Sequence, residues 1–406
     1  MKIRKLAFEN FRGKEELTLS LGARLSLFIG ENGAGKTTVL DGLAIGLGAA
    51  LTHLPEVSGI TFSKTDLRQR HNQLAPYVRV RIDAFEGISW DRTLKRDKSK
   101  ATAAQVPAGV GLKQLTQYLD SKVINPYNDQ QDFVLPVFAY YGVSRALLEV
   151  PLRRRGFPKA HFRFEALNNS LNAVSRFKSA FIWFYNKENE EQRKQKELRS
   201  FDFTLPELNA VRHAITTMFP GVTEPHIMLN PLRFAVRLNG ELLDINQLSD
   251  GYKTLLSLVI DLASRMALAN PTLENPLSSP AVVLIDEVDL HLHPEWQRRV
   301  IGDLLRVFSN TQFILTTHSP YIVESINNHL QKSHIEGMAY ENPLIDEIIP
   351  VSPTDVVAYF MAEDKLEAIM DPEVQLIDDK LIYPFNTLSE VYDLMRDVQW
   401  ENKTND

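Results

Sequence analysis

Residues 30 to 38 read Gly30, Glu31, Asn32, Gly33, Ala34, Gly35, Lys36, Thr37 and Thr38. Glycines at this spacing let the backbone wrap closely around phosphates with its N–H groups turned inward. Lys36 can then reach the β- and γ-phosphates of a nucleotide, and Thr37 can set its hydroxyl on Mg²⁺. A second pair of reactive groups, Asp286 and Glu287, follows the apolar run Ala281 to Ile285. A carboxylate at the end of a buried strand is costly unless a cation or a proton transfer uses it. Asp286 is therefore the expected Mg²⁺ partner and Glu287 the expected base for an attacking water. A third element, Ser249 and Gly251 at the start of a helical pattern, offers a hydroxyl and a free N–H at a helix N-terminus, a second anion site. The fourth is His318, at the end of the apolar run from Phe313, placed to sense a γ-phosphate. Two phosphate-binding ends so far apart in one chain imply that each ATP is held between two subunits.

The elements that must position these groups are visible as periodicities. Ile3, Leu6 and Phe8, then Leu17, Leu19 and Leu21, then Leu25, Leu27 and Ile29 alternate as strands, and Val39, Leu40, Leu43, Leu47 and Leu51 recur at helical spacing. The glycine loop thus joins a strand to a helix. Tyr77 to Leu94 predicts a hairpin turning at Gly87, Lys95 to Gly111 a flexible loop, and Phe133 to Tyr141 a buried strand. Arg153, Arg154 and Arg155 open a segment with Phe177, Phe181, Trp183, Phe184 and Tyr185, then a run of charged and amide residues expected to form a solvent-exposed helix. Strand periodicity returns at Leu232 to Leu243, and an amphipathic helix is expected from Gly251 to about Leu268.

Composition narrows the class further. The 406 residues are 44% hydrophobic and 24% charged, with no apolar stretch long enough for a membrane span and no secretory signal pattern, so a cytoplasmic protein with no membrane partner is expected. The absence of cysteine removes disulfides, thiolate zinc sites and cysteine nucleophiles. At a net charge of −6, any nucleic-acid binding must come from a local basic patch.

In order and spacing the four elements resemble the ATP-binding cassette family: residues 30–37 as Walker A, 248–258 as the signature, 282–287 as Walker B and 316–320 as the H-switch. The segments LAFENFRGKEELTLSL, DEVDLHLHPEWQRRV and FILTTHSPYIVESI look like the RecF, Rad50 and OLD branch, and within it most like the compact ATPases of bacterial anti-phage systems, PtuA of Septu and its retron-associated relatives. The resemblance implies an α/β, RecF/SMC-like P-loop ATPase head with a mainly helical insertion. Its expected divisions are residues 1–145 and 241–350 as the two lobes of the head, 146–240 as the insertion, and 351–406 as a C-terminal segment for partner docking. It further implies ATP and Mg²⁺ as cofactors, catalytic roles for Glu287 and His318, and a homodimer or higher even oligomer formed through the ATP sites. The implied partners are a separately encoded nuclease of HNH type, a reverse transcriptase with its DNA/RNA product, and nucleic acid contacted by the arginine run.

Several departures from the family pattern stand out. Asp250 and Tyr252 occupy signature positions where transporters carry glycine and glutamine, and no clear Q-loop follows Tyr141, where Ser144 and Arg145 stand and Gln130 and Gln131 precede the strand. His291 and His293 alternate but lack a third ligand, so a structural role is expected. Asp378 and Asp379 lack the upstream glutamate of a TOPRIM nuclease, so no nuclease domain is expected in this chain. The implied function is an ATPase that senses or regulates a separate nuclease in anti-phage defence; the alternative is a RecF-like DNA-repair clamp.

Overall fold

The computed structural model describes residues 1–143, 162–173, 177–339, 341–362, 365–378, 390–392 and 394–396. The alternating N-terminus forms β1 (Ile3–Phe11) and β2 (Lys14–Ser20), followed by β3 (Leu25–Gly30), the glycine loop and α1 (Lys36–His53). β4 (Tyr77–Ala84) and β5 (Ser89–Lys95) make the hairpin, turning at Gly87 with φ 78°, and β6 (Val137–Tyr141) follows. Next come α2 (Phe177–Leu198), α3 (Pro206–Met218), β7 (Val222–Leu229), β8 (Leu232–Leu238) and β9 (Glu241–Asp244). The remaining elements are α4 (Asp250–Ala269), β10 (Ala281–Ile285), α5 (Pro294–Val307), β11 (Thr311–Thr317), α6 (Pro320–His334), β12 (Val356–Met361) and β13 (Leu366–Ala368).

Two sheets flank α1. The larger has the order β13-β12-β3-β11-β10-β6, all parallel except the edge strand β13. Every residue of β3, β6, β10 and β11 is buried, as expected for parallel strands covered on both faces. The smaller sheet, β2-β1-β4-β5, is antiparallel. Helix α1 is apolar nearly all round because both sheets press on it, and Gly42 and Gly46 permit the approach: a Cβ at either would overlap the Phe8 ring or the Ile82 side chain. Gln312 ties the sheets together, accepting from Ile3 N–H at 2.7 Å and donating to the Ile3 and Gly22 carbonyls at 2.6 and 2.7 Å.

Several expectations need correction. Lys95 to Gly111 is not a free loop: it holds a short helix, Lys100–Ala104, and Gly111 N–H donates to the buried Asp91 at 2.5 Å. The stretch from Phe133 is extended only from Val137, since Pro136 cannot donate to a ladder. The segment after residue 176 is mainly helical only to Met218, because β7, β8 and β9 form their own sheet, and a division between 240 and 241 would part Leu238 from its partner Glu241. Of the aromatic cluster, Phe177, Phe181, Trp183 and Phe184 are buried. Nor is the charged stretch simply solvated. Buried Glu188 accepts from Ile227 N–H at 3.0 Å, and buried Glu191 accepts from Leu205 N–H at 2.9 Å and pairs with Arg212 at 2.8 Å. Part of the C-terminal segment is core, since β12 pairs with β3 from Val356↔Leu25 to Met361↔Gly30. Ser144, Arg145, Arg153, Arg154, Arg155 and Asp379 lie outside the described residues.

Candidate nucleotide site

The parallel strands bring their carboxyl ends to one edge, where open α/β sheets bind ligands. The glycine loop leaves β3, Asp286 and Glu287 leave β10, and His318 leaves β11. β11 lies between β3 and β10, so motifs far apart in sequence become neighbours.

Gly30, Gly33 and Gly35 have φ of 139°, 82° and 99°, the left-handed side that favours glycine. Gly30 also faces the Met361 carbonyl so closely that a Cβ would overlap it, and Glu31 N–H donates to that carbonyl at 3.3 Å. At Gly33 an added Cβ meets nothing, so the outer side of the loop is open. Glu31, Asn32 and Gly33 are exposed, Ala34 is buried, and Thr38 is partly covered. Lys36 is buried and donates to the carbonyls of Gly30 and Glu31 at 2.9 and 2.7 Å. Burial lowers its pKa, while Asp286, Glu287 and Asp289 favour its charge.

Thr37 donates to Asp286 Oδ2 at 2.8 Å, and Thr316 donates to Asp286 Oδ1 at 2.6 Å. The Thr316 hydroxyl in turn accepts from Glu287 N–H at 2.7 Å, which fixes Glu287 at φ 48°, an uncommon conformation for a residue with a side chain. Val288 N–H donates to the Thr316 carbonyl at 3.0 Å, and Thr317 donates to Asp289. The Thr37 hydroxyl and the Asp286 carboxylate are hard oxygen donors at about the ~3 Å spacing of adjacent ligands around a Mg²⁺ with ~2.1 Å bonds. The residues present therefore fit that ion. His318 is half-buried; burial lowers its pKa first and Lys36 second, while Asp289, Glu287 and Asp286 oppose the shift.

A layer of polar residues that motif reading left without a role supports this edge. Arg12, at φ 50° between β1 and β2, pairs with Asp41 of α1 at 2.5 Å and Asp66 at 2.9 Å. Burial disfavours its charge, and the two aspartates more than offset that, raising its pKa. Tyr140 of β6 donates to Asp41 at 2.9 Å, and burial, followed by Asp41, pushes its phenol well above the usual range. Asp41 lies one helical turn after Thr37, a spacing that could have marked it.

Ser249 is exposed and caps α4, accepting from Tyr252 N–H at 3.5 Å. A Cβ at Gly251 would overlap the His291 carbonyl, so the first turn of α4 rests on the loop after Walker B of its own chain. Tyr252 packs on Trp296 of α5 at 4.8 Å between ring centroids, and Phe219 touches both at 5.8 and 5.3 Å. The aromatic at signature position 252 thus joins α4 to α5 and to the end of α3. His291 and His293 are both exposed, with His293 capping α5 by accepting from Glu295 N–H at 3.3 Å, and no cluster of three or more metal-ligating His, Cys, Asp or Glu occurs among the described residues. No helix among the described residues is long and apolar enough to cross a membrane.

Residues 5–218 match a family model described as "AAA domain", and residues 120–324 match one described as "AAA domain, putative AbiEii toxin, Type IV TA system". The "Retron Ec83 probable ATPase" of Escherichia coli is 28% identical over 395 residues, covering 81% of this chain and 70% of that protein. The "Septu protein PtuA" of Bacillus mycoides is 25% identical over 328 residues, 78% of this chain and 38% of that one. A solved structure of an SMC head bound to the C-winged helix domain of ScpA aligns at 15% identity and a TM-score of 0.45, covering 91% of this chain and 97% of its own.

Proposed function

The chain belongs to the AAA-domain family, and from that premise we propose that it binds ATP with Mg²⁺ at the glycine loop and hydrolyses it in a site completed by a second subunit. The observation that carries this reading is the hydrogen-bonded line Thr37–Asp286–Thr316–Glu287, which sets the cation ligands of two distant motifs beside a buried lysine. Lys36 would exchange the Gly30 and Glu31 carbonyls for β- and γ-phosphate oxygens, a better match for a partly desolvated ammonium. Thr37 and Asp286 would hold Mg²⁺, which would neutralise phosphate charge there. Glu287, at the end of β10, takes the proton of the attacking water. His318, whose pKa burial lowers, offers a hydrogen bond to the γ-phosphate. Ser249 and Gly251 of the partner subunit cap the nucleotide from its open side.

Lys36→Ala should lower ATP affinity by at least a hundredfold; unchanged affinity refutes the phosphate-site assignment. Glu287→Gln should keep ATP bound and slow turnover by about 10²–10⁴-fold, the range of a lost general base. Turnover within a few-fold of the unmodified chain would remove Glu287 from that role.

The similarity to retron- and Septu-named proteins supports a place in a defence system. There the ATPase senses the trigger and regulates a separately encoded nuclease. In cells carrying the native neighbouring genes, Lys36→Ala should abolish protection against phage. Protection that survives this change would separate the ATP site from defence.

A further inference from the structure

β6 is the edge strand beside β10, and its last two side chains point to opposite faces, as successive strand residues must. Tyr140 reaches Asp41 of α1. Tyr141 turns the other way and is buried against α4, where its phenol donates to Asp261 Oδ2 at 2.8 Å. Arg265 Nε donates to the same oxygen at 2.7 Å, and the guanidinium also reaches the Ala166 and Asn168 carbonyls at 2.6 and 3.3 Å. Asp261 and Arg265 are an i,i+4 pair, so their ion pair is internal to α4 and by itself ties the helix to nothing. The bonds of this cluster that leave α4 go to the Tyr141 phenol and to the carbonyls at 166 and 168. They all land on one body, because the chain just beyond 168 is bonded to β6: Tyr140 N–H donates to the Ser170 carbonyl at 2.7 Å and Gly142 N–H to the Ala173 carbonyl at 2.9 Å. The Tyr141 carbonyl, in turn, accepts from Asp286 N–H at 2.8 Å. One residue thus holds the backbone of Asp286 and, through its side chain, the helix that Ser249 caps.

We infer that Tyr141 is a positioning residue through which the placement of α4 sets the placement of Asp286. This role rests on the proposed nucleotide site and extends it to a residue outside the four motifs. From Ser249 to Asp261 the helix rises about 18 Å at roughly 1.5 Å per residue. A packed helix moves as a rigid element, so a shift of its first turn, where a partner's nucleotide would meet Ser249, reaches Asp261. The phenol passes that shift to the end of β6, and the carbonyl of the same residue passes it to Asp286. A hydrogen bond from a hydroxyl to a buried carboxylate is charge-assisted and strong enough to carry it. Burial first and Asp261 second raise the phenol pKa well above its ordinary value, so the group remains a donor across the working pH. Tyr141 acts through Asp286, as the outer partners of metal ligands do.

The test is the affinity of the full chain for the non-hydrolysable β,γ-imido analogue of ATP, titrated once with Mg²⁺ and once with EDTA. The ratio of the two affinities reads how well the protein holds the metal. Tyr141→Phe removes the phenol oxygen and keeps the ring and the carbonyl. It should leave the affinity in EDTA within about threefold, since Lys36 and the glycine loop are untouched, and reduce the gain from Mg²⁺ about tenfold or more, the range for outer partners of metal ligands. A purely structural loss would instead lower the number of sites and leave the gain from Mg²⁺ in the remaining sites unchanged; that outcome overturns the role. Asp261→Asn/Arg265→Gln removes the ion pair as a whole but keeps an amide oxygen for the phenol, so its gain from Mg²⁺ should exceed that of Tyr141→Phe. An equal loss in both would assign the effect to the charge pair and overturn the role of Tyr141. If the unmodified chain fails to bind the analogue, or Lys36→Ala binds it as well, the nucleotide site itself is refuted. If binding depends on Lys36 and Tyr141→Phe keeps the full gain from Mg²⁺, only the role of Tyr141 falls.

Discussion

Thr316 does the work of two residues, donating to Asp286 while accepting from the Glu287 N–H. It couples the orientation of one carboxylate to the backbone of the next. The histidines at this scale carry a pH signature. Burial is the leading cause of the lowered pKa at His318, reinforced by Lys36. It is also the leading cause at His329, where Arg306 adds to it and the Ile349 carbonyl and Asp303 oppose it. A histidine depressed in the folded state binds its proton more readily when unfolded. Its contribution is therefore complete above the ordinary value of 6.5 and declines as pH falls from there toward the folded pKa. Denaturant titrations at stepped pH should show stability dropping on acidification below about 6.5, and His329→Gln should flatten that slope. A slope that the substitution leaves unchanged would assign the drop to carboxylates alone.

Among the elements, α1 is held by its glycine face as much as by its apolar side chains. Alanine is favoured over glycine inside a helix by about 0.8–1.0 kcal/mol. At Gly42 overlap with the Phe8 ring should win, because that ring is fully buried and forcing atoms into a packed core costs about 1–3 kcal/mol. Gly42→Ala should thus destabilise the protein in urea titrations, with ATP affinity falling in step because Lys36 and Thr37 start the same helix. An increase in stability would mean that the antiparallel sheet can move away from α1. The Phe219–Tyr252–Trp296 cluster works the same way at the other end of the site, fixing α4 against α5 through ring contacts.

For the whole molecule, the decisive question is how the signature meets the glycine loop. Gly251 rests on the loop after Walker B of its own chain, and Ser249 is left exposed. Two-fold pairing of identical subunits is the simplest way to place that serine on a neighbour's nucleotide. Mixing Lys36→Ala subunits with Ser249→Arg subunits would then produce dimers with one doubly damaged and one intact site. Partial recovery of ATP turnover on mixing is expected. Strictly additive loss would point to sites built within one chain.

Local chemistry was legible before any folding. The glycine loop, Asp286 and Glu287, the signature turn and His318 announce themselves because each needs particular residue types at short spacing, and strand or helix periods flank them. The supporting network was not legible. Arg12 and Tyr140 meet Asp41, and Thr316 meets Asp286, through hydrogen bonds between separate elements, and apart from the spacing of Asp41 from Thr37 nothing along the chain marks those residues. The charged run after the aromatics misled for a related reason: local composition cannot say which face of a helix meets a sheet that lies thirty or more residues further on. By itself the sequence determined the chemistry offered at each motif, since backbone freedom and side-chain type are local properties. Tertiary structure alone decided which motifs meet, which carboxylates lie buried, and that β12 belongs to the core, because strand order is settled by burial of whole faces and not by spacing along the chain.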